Sequence, residues 1–450
     1  MTGTTSLLIR GARLLDSSTG MDRVGDLLIA DGAIQRVEAA IRDGSIPPDC
    51  QVIDGAGLVA CPGFIDLHVH LREPGYEDKE TIETGVQAAA RGGFTTVCCM
   101  PNANPAMDNA SVVDYVLRKA REANMVRVLP IGCVTKGREG HQLAEMWELA
   151  QAGVVGFSDD GSPVADPHLM RQALTYAGGL GLPVINHCED TSLSQGAPVN
   201  EGWVSNRLGL HGWPAAAEEV MVARDIELAE LTRGRLHLAH LTTRKAVELV
   251  RSARERGLSV TAEVTPHHLA LNEEWVLGHD NDGPLSGSLT GAAYDTATKV
   301  NPPLRTRRDS EALAAGLRDG VIDAIATDHA PHAVTDKLVS YDDAAFGISG
   351  LETALGTVLM LVHRGELSLE LVVERLTLGP LKLLGESYGD LGTLRAGTPA
   401  DVVLFDPNEE WEVRASDFVS KGKHTPLEGV TLRGRVAAAI AGGRVVHSAL

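Results

Sequence analysis

Aromatic side chains are scarce, at 4% of 450 residues, and cysteines number six. The cysteines, Cys50, Cys61, Cys98, Cys99, Cys133 and Cys188, form no C-x-x-C pair. A chain this long buries enough apolar surface to fold without disulfides, so the scatter is read as reduced thiols. No run of about 18 apolar residues occurs, so no membrane span is expected. The opening MTGTTSLLIRG has no basic stretch ahead of a long apolar one, so no signal peptide is expected. Positive charge is in deficit as well. Forty Lys and Arg face sixty Asp and Glu, for a net charge of −20. Such a chain repels a phosphate backbone, so a broad nucleic-acid surface is not expected. These absences leave a cytoplasmic enzyme as the expectation.

What the chain does have is glycine, 48 residues of it, which suits tight turns between strands and helices. Residues 6–59 read as short strands. Asp31-Gly32 sits between two alternating apolar runs and predicts a hairpin. From about residue 60 the texture changes. Apolar runs at 63–70, 95–100, 126–131, 154–158, 183–187, 236–240, 259–264 and 324–328 make eight candidate strands. Amphipathic stretches at 80–91, 111–123, 143–152, 167–178, 215–231, 244–256 and 310–318 separate them. Eightfold strand–helix alternation predicts a (β/α)8 TIM-like barrel, with a doubly wound sheet as the rival. After about residue 390 short strands return. The reading is therefore an α/β chain with the barrel at 60–390 and a small β-sandwich module built from 1–59 and 391–450. Residues 278–297 are polar and read as a loop or insertion.

The sharpest motif is PGFIDLHVH, residues 62–70. Alternation along a strand puts His68 and His70 on one face, with Phe64 and Asp66 below them, where two imidazoles can grip one metal ion. Ile65, Leu67 and Val69 are then expected to face the helices. His187, His240 and Asp328 each end an apolar strand, where barrel enzymes keep their active sites. His237 is read as facing away from His240, and His267 and His268 remain unassigned. Amide hydrolysis at neutral pH needs a stronger nucleophile than free water. A divalent ion lowers the pKa of its water toward ~7 and polarises a carbonyl, and a neighbouring carboxylate can carry the proton to the leaving nitrogen.

PGFIDLHVHLREPG, TDHAPH and GTLRAGTPADVVLFDP resemble the amidohydrolase superfamily. CCMPNANP, FSDDG, NHCED, HLAH, KVNPPLR and FGISGLET are similar to motifs of bacterial type I dihydroorotases, in the same order over nearly the whole chain. The resemblance implies a zinc enzyme, with two ions per subunit expected and a one-ion form conceivable. His68 and His70 with an aspartate would hold one ion, and His187 and His240 the other. The segment matching the bridging lysine of many relatives, residues 156–161, has no lysine; the match falls on Asp160, with Asp159 as the control. Asp328 is the implied metal ligand and catalytic proton shuttle. Arg72, Asn102 and His332 are implied to bind a substrate carboxylate, and Asn301, Phe346 and Gly347, with His70, to contact the ring. The implied activity is reversible cyclisation of N-carbamoyl-L-aspartate to (S)-dihydroorotate, in pyrimidine synthesis, by metal-bridged hydroxide. A homo-oligomer is expected, and aspartate transcarbamoylase is an implied partner. The rival readings are a hydantoinase or allantoinase, and a silent subunit that scaffolds the transcarbamoylase. The lysine-free segment argues against the first, and the complete ligand set against the second.

Overall fold

A computed structural model describes residues 6–280, 283–284 and 293–450; the polar 278–297 stretch lies largely outside the described residues. Leu7–Asp16, Met21–Ala30, Ala33–Glu38, Gln51–Asp54 and Val59–Pro62 join Val402–Glu412, Thr431–Ala441 and Arg444–Ser448 in one eight-stranded sheet. The two ends of the chain meet where Val59–Pro62 runs antiparallel to Val402–Phe405. Asp31 and Gly32 both take positive φ, 54° and 76°, as the two-residue hairpin turn requires. The sheet folds over itself. Ile29 and Ile34 from one end share a buried cluster with Ala438 and Ile440 from the other, which gives the module a sandwich core of its own.

Gly63 carries the chain from this sheet into the barrel. A Cβ there would lie 2.1 Å from the Thr95 hydroxyl, so the passage admits only glycine. Phe64–Val69, Phe94–Cys99 and Arg127–Pro130 pair in parallel. So do Val184–Asn186, Leu236–Leu238, Val260–Val264 and Ala324–Ile325. The fourth candidate strand, 154–158, is reduced to Phe157, which bridges to Gly132 on one side and Val184 on the other. A parallel bridge between Val69 and His329 closes the ring, so the eight candidate strands form a barrel rather than an open sheet.

Helices cover the ring because each buries one stripe and caps its own start. Arg244–Glu255 buries Ala246, Val247, Val250 and Ala253, and the Thr243 hydroxyl accepts from the Ala246 N–H. Pro167–Gly179 starts on Asp166 with proline in its first turn. Among the described residues, two helices of ten residues or more escape the sequence reading, Ala354–His363 and Leu369–Leu384. The first buries seven of its ten residues, so it lacks the polar face that betrays an amphipathic helix. Among the described residues no helix is long and apolar enough to cross a membrane.

One expectation about the first barrel strand fails. Ile65 and Leu67 do not face the helices. They pack with Cys98, Leu129, Ile185 and Ala324 in the cluster that fills the barrel, while Val69 joins the outer layer with Val86 and Val97. The register to the next strand shifts between Asp66 and Val69, and this bulge breaks the two-residue alternation. Asp66 is freed from the ligand face. It accepts from the Thr327 N–H at 3.0 Å and the Thr327 hydroxyl at 2.6 Å, pinning the last strand to the first.

Candidate metal centre and active site

The buried side chains at the C-terminal mouth converge on Asp160. Its Oδ1 lies 3.3 Å from His68 Nε2, 3.7 Å from His187 Nδ1 and 3.5 Å from His240 Nε2. Its Oδ2 lies 3.4 Å from His70 Nε2. Asp328 Oδ1 approaches His70 Nε2 at 3.1 Å and His68 Nε2 at 3.5 Å. Two groups of three donors stand within ligating reach of each other, His68–His70–Asp328 and His68–Asp160–His240. His187 adjoins the second, its Nδ1 3.0 Å from His240 Nε2. All six residues are nearly sealed from solvent.

This donor set fits a divalent cation. His68 Nε2 and Asp160 Oδ1 are buried, face each other, and lack a hydrogen-bond partner. An orphaned pair of this kind is costly unless a ligand completes it. Imidazole and carboxylate together suit zinc, cobalt or manganese. Burial alone would raise the carboxyls, but the histidines outweigh it. His68, His187 and His240 hold Asp160 well below the usual range. His68 and His70 do the same for Asp328. Both are therefore carboxylates at neutral pH.

Three of the four rings have a partner for the nitrogen turned away from this centre, while His240 Nδ1 is buried without one. His68 Nδ1 donates to Glu263 Oε1 at 2.8 Å, and His237 Nε2 meets Glu263 Oε2 at 3.1 Å. His70 Nδ1 donates to Asn102 Oδ1 at 2.8 Å. His187 Nε2 donates to Glu189 Oε2 at 3.0 Å. In the neutral imidazole that a metal requires, the acceptors of His68, His70 and His187 would each fix one tautomer and leave the opposite nitrogen, which faces Asp160 or Asp328, free to ligate. His237 is thus part of the site's support through Glu263. Glu263 and Glu189 were not singled out from sequence. The signal for Glu263 was an acid at an inward position of a buried strand, and for Glu189 its place two residues past His187.

Asp159 and Asp160 do different work. Asp159 accepts from the N–H groups of Val134 and Thr135, at 2.9 and 3.0 Å, and from the Thr135 hydroxyl, so it braces the neighbouring loop. Burial pushes its carboxyl up to about 6. Arg138 donates to the Asp160 carbonyl at 2.6 Å and steadies the backbone. Arg72, Arg138, His240 and Asp328 all hold positive φ, at 62°, 60°, 32° and 48°. Such strain clusters where function over-determines a conformation.

The expected substrate residues line the same mouth. Arg72 Nε donates to the Pro331 carbonyl at 3.1 Å, and its Nη2 lies 3.3 Å from His332 Nε2. His332 Nε2 also donates to the Phe346 carbonyl at 2.8 Å. The Gly347 N–H donates to the Lys299 carbonyl at 3.0 Å, and Asn301 Nδ2 reaches Glu189 Oε2 at 3.4 Å. Burial, then Arg72, push the His332 imidazole down to about 3, so it is neutral at pH 7.

The family pattern described as dihydro-orotase-like matches residues 57–246. The dihydroorotase of Pelotomaculum thermopropionicum is 49% identical, covering 98% of this chain and 98% of that protein. The chain belongs to the dihydroorotase family. The member from Syntrophus aciditrophicus is 46% identical, over 98% of this chain and 99% of that one. Among solved structures, the L-hydantoinase (dihydropyrimidinase) from Arthrobacter aurescens superposes with a TM-score of 0.84 at 25% identity, covering 99% of this chain and 96% of its own. The dihydropyrimidinase from Brevibacillus agri gives 0.79 at 21% identity, over 99% and 95%, which speaks to the fold alone. This chain and these solved neighbours thus share one fold over nearly their whole lengths.

Proposed function

We propose that the chain interconverts N-carbamoyl-L-aspartate and (S)-dihydroorotate, as a cyclic amidohydrolase of pyrimidine synthesis. The observation that carries this reading is the convergence of Asp160 and Asp328 on four histidines, beside a wall bearing Arg72, Asn102 and Asn301. His68, His70 and Asp328 would hold one ion and His187 and His240 a second, with Asp160 within reach of both sets; zinc is the proposed metal. When bound, such ions supply an acidified water and a Lewis acid for the ring carbonyl.

The chain's own residues do the rest. Asp328 is a carboxylate beside the cluster. In the hydrolytic direction it takes the proton of the attacking water and delivers it to the leaving ring nitrogen. Cyclisation runs the same transfers backward. Arg72 is held by Pro331 and carries the attraction for the substrate's exocyclic carboxylate, since His332 is neutral and serves as a hydrogen-bonding group. Asn102 gives its carbonyl to His70, which leaves its amide N–H groups for the same carboxylate. Asn301 and the backbone of Phe346 and Gly347 form the ring-facing wall. The proposed division is a β module from 1–59 and 391–450 and a catalytic barrel from 60–390.

The first test is loss of ultraviolet absorbance of L-dihydroorotate on adding the zinc-supplemented protein. Hydrolysis by the wild type, abolished in Asp328→Ala with metal retained, supports the assignment. Full activity of that variant removes Asp328 from the mechanism. A cytoplasmic location, self-association and a complex with aspartate transcarbamoylase complete the reading. Size-exclusion chromatography of the two proteins, separately and mixed, tests the last two.

A further inference from the structure

Two lysines near the mouth are buried, Lys299 at 2% and Lys337 at 3% exposure. Lysine is almost never buried this fully without a paired acid. Among the described residues neither makes an ion pair. Their ammonium hydrogens go to backbone carbonyls instead. Lys299 Nζ donates to the carbonyls of Tyr341 and Asp342 at 3.0 and 2.8 Å, and sits 4.4 Å from the centre of the Phe346 ring. Lys337 Nζ donates to the carbonyls of Thr296 and Lys299 at 3.1 and 3.3 Å. The Thr296 hydroxyl returns a bond to the Lys337 carbonyl at 2.8 Å.

The two lysines therefore point in opposite directions across one seam. Lys299, on the segment that leads into Asn301, reaches the loop after the last barrel strand. Lys337, which ends the short helix Val334–Lys337 in that connection, reaches back. Between them the Gly347 N–H bonds the Lys299 carbonyl. Gly347 sits at φ 127°, and a Cβ there would lie 2.6 Å from the Ala330 carbonyl, so little room exists for this wall to shift. Neither segment has regular strand pairing to hold it at the seam. Lysine is suited to the task because its flexible stem can bring several donors to carbonyls on an irregular backbone.

We propose that Lys299 and Lys337 are positioning residues, a reciprocal clasp that fixes the wall carrying Asn301, Phe346 and Gly347 against the substrate ring. This rests on the reading above that those three residues contact the substrate. The clasp touches no candidate metal ligand, so it should set substrate affinity while leaving metal and the proton-transfer groups in place.

The test compares zinc-loaded wild type with Lys299→Met and Lys337→Met by hydrogen exchange and by kinetics on L-dihydroorotate. Faster exchange in 296–301 and 341–347 is expected, with KM raised roughly tenfold, kcat changed less than about threefold, and zinc content unchanged. Unchanged exchange in those segments overturns the clasp. Faster exchange with unchanged KM overturns its role in binding, and Asn301→Ala then locates the fault. If Asn301→Ala raises KM, the wall binds substrate but is not positioned by the lysines. If it does not, the reading of the wall itself fails. Should either lysine variant not fold, Thr296→Val removes one bond of the clasp and is expected to move exchange and KM in the same direction by less; no movement in either overturns the proposal.

Discussion

Glu263 offers a sharp test of how the metal centre is prepared. Its two carboxylate oxygens serve two rings, His68 Nδ1 at 2.8 Å and His237 Nε2 at 3.1 Å, and those rings hold its carboxyl down at about 2 against the effect of burial. Replacing it with methionine removes the acceptor that fixes the His68 tautomer. A hydrogen bond to a charged group is worth about 1.5–3 kcal/mol, which corresponds to roughly a ten- to hundredfold loss of metal affinity. Glutamine should cost less. His237 Nδ1 meets the Thr261 hydroxyl at 2.8 Å, a group that can donate or accept. His237 can therefore change tautomer, take a hydrogen from the glutamine amide, and leave the amide oxygen for His68. The charge is lost but the orientation survives, so Glu263→Gln is expected to lose about tenfold or less. The assay is competition with a chromogenic chelator on apo protein, together with the visible spectrum of the cobalt form, and thermal unfolding of the apo proteins controls for stability. A methionine variant that binds metal within about twofold of wild type would refute the role. A glutamine variant weaker than the methionine one would refute the tautomer argument.

Three other outcomes follow from the same geometry. Asp160→Ala should lose metal while folding normally; Asp159→Ala should keep metal and lose about 2–4 kcal/mol of stability from three orphaned donors, as read by chemical denaturation. Arg72→Ala should raise KM for dihydroorotate by at least about tenfold more than for an uncharged dihydropyrimidine, and equal losses on both would remove Arg72 from carboxylate binding. Burial, then Lys299, push Lys337 from 10.5 to about 7 against the pull of Asp295 and Asp336. Between those values the unfolded chain holds a proton that the folded chain lacks, so this group makes stability rise with pH from about 7 toward 10.5, by at most about 1.4 kcal/mol per unit. Lys337→Met should flatten that rise across pH 7–9 in denaturation curves, and an unchanged slope would show that the amine does not titrate there.

The barrel was legible because its strands are short apolar runs set between amphipathic helices, and each of those signals is local. The ends of the runs were legible for the same reason: His187, His240 and Asp328 each break an apolar segment at its last residue. Local signals also misled. Alternation predicts Ile65 and Leu67 on the outer face, and the register shift between Asp66 and Val69 leaves them inside the barrel. It weakens the strand rule at the place where the rule was used to orient two histidines, yet their rings still converge, with centroids 5.3 Å apart. What stayed hidden shares one property. Glu263 meets His68 across 195 residues of chain, Asn301 meets Glu189 across 112, and the lysine seam joins segments about 40 residues apart. A polar residue inside a buried strand can be flagged from sequence as needing a partner, but pairing belongs to the closed barrel. The donors that face the centre therefore read as a pattern, while the groups that hold those donors in one tautomer and one position become visible only once the strands are side by side. That division predicts where substitutions will surprise. Changes at His68 or Asp328 should behave as their sequence context suggests, whereas changes at Glu263, Lys299 and Lys337 should act on metal affinity or KM through partners that the local sequence does not name.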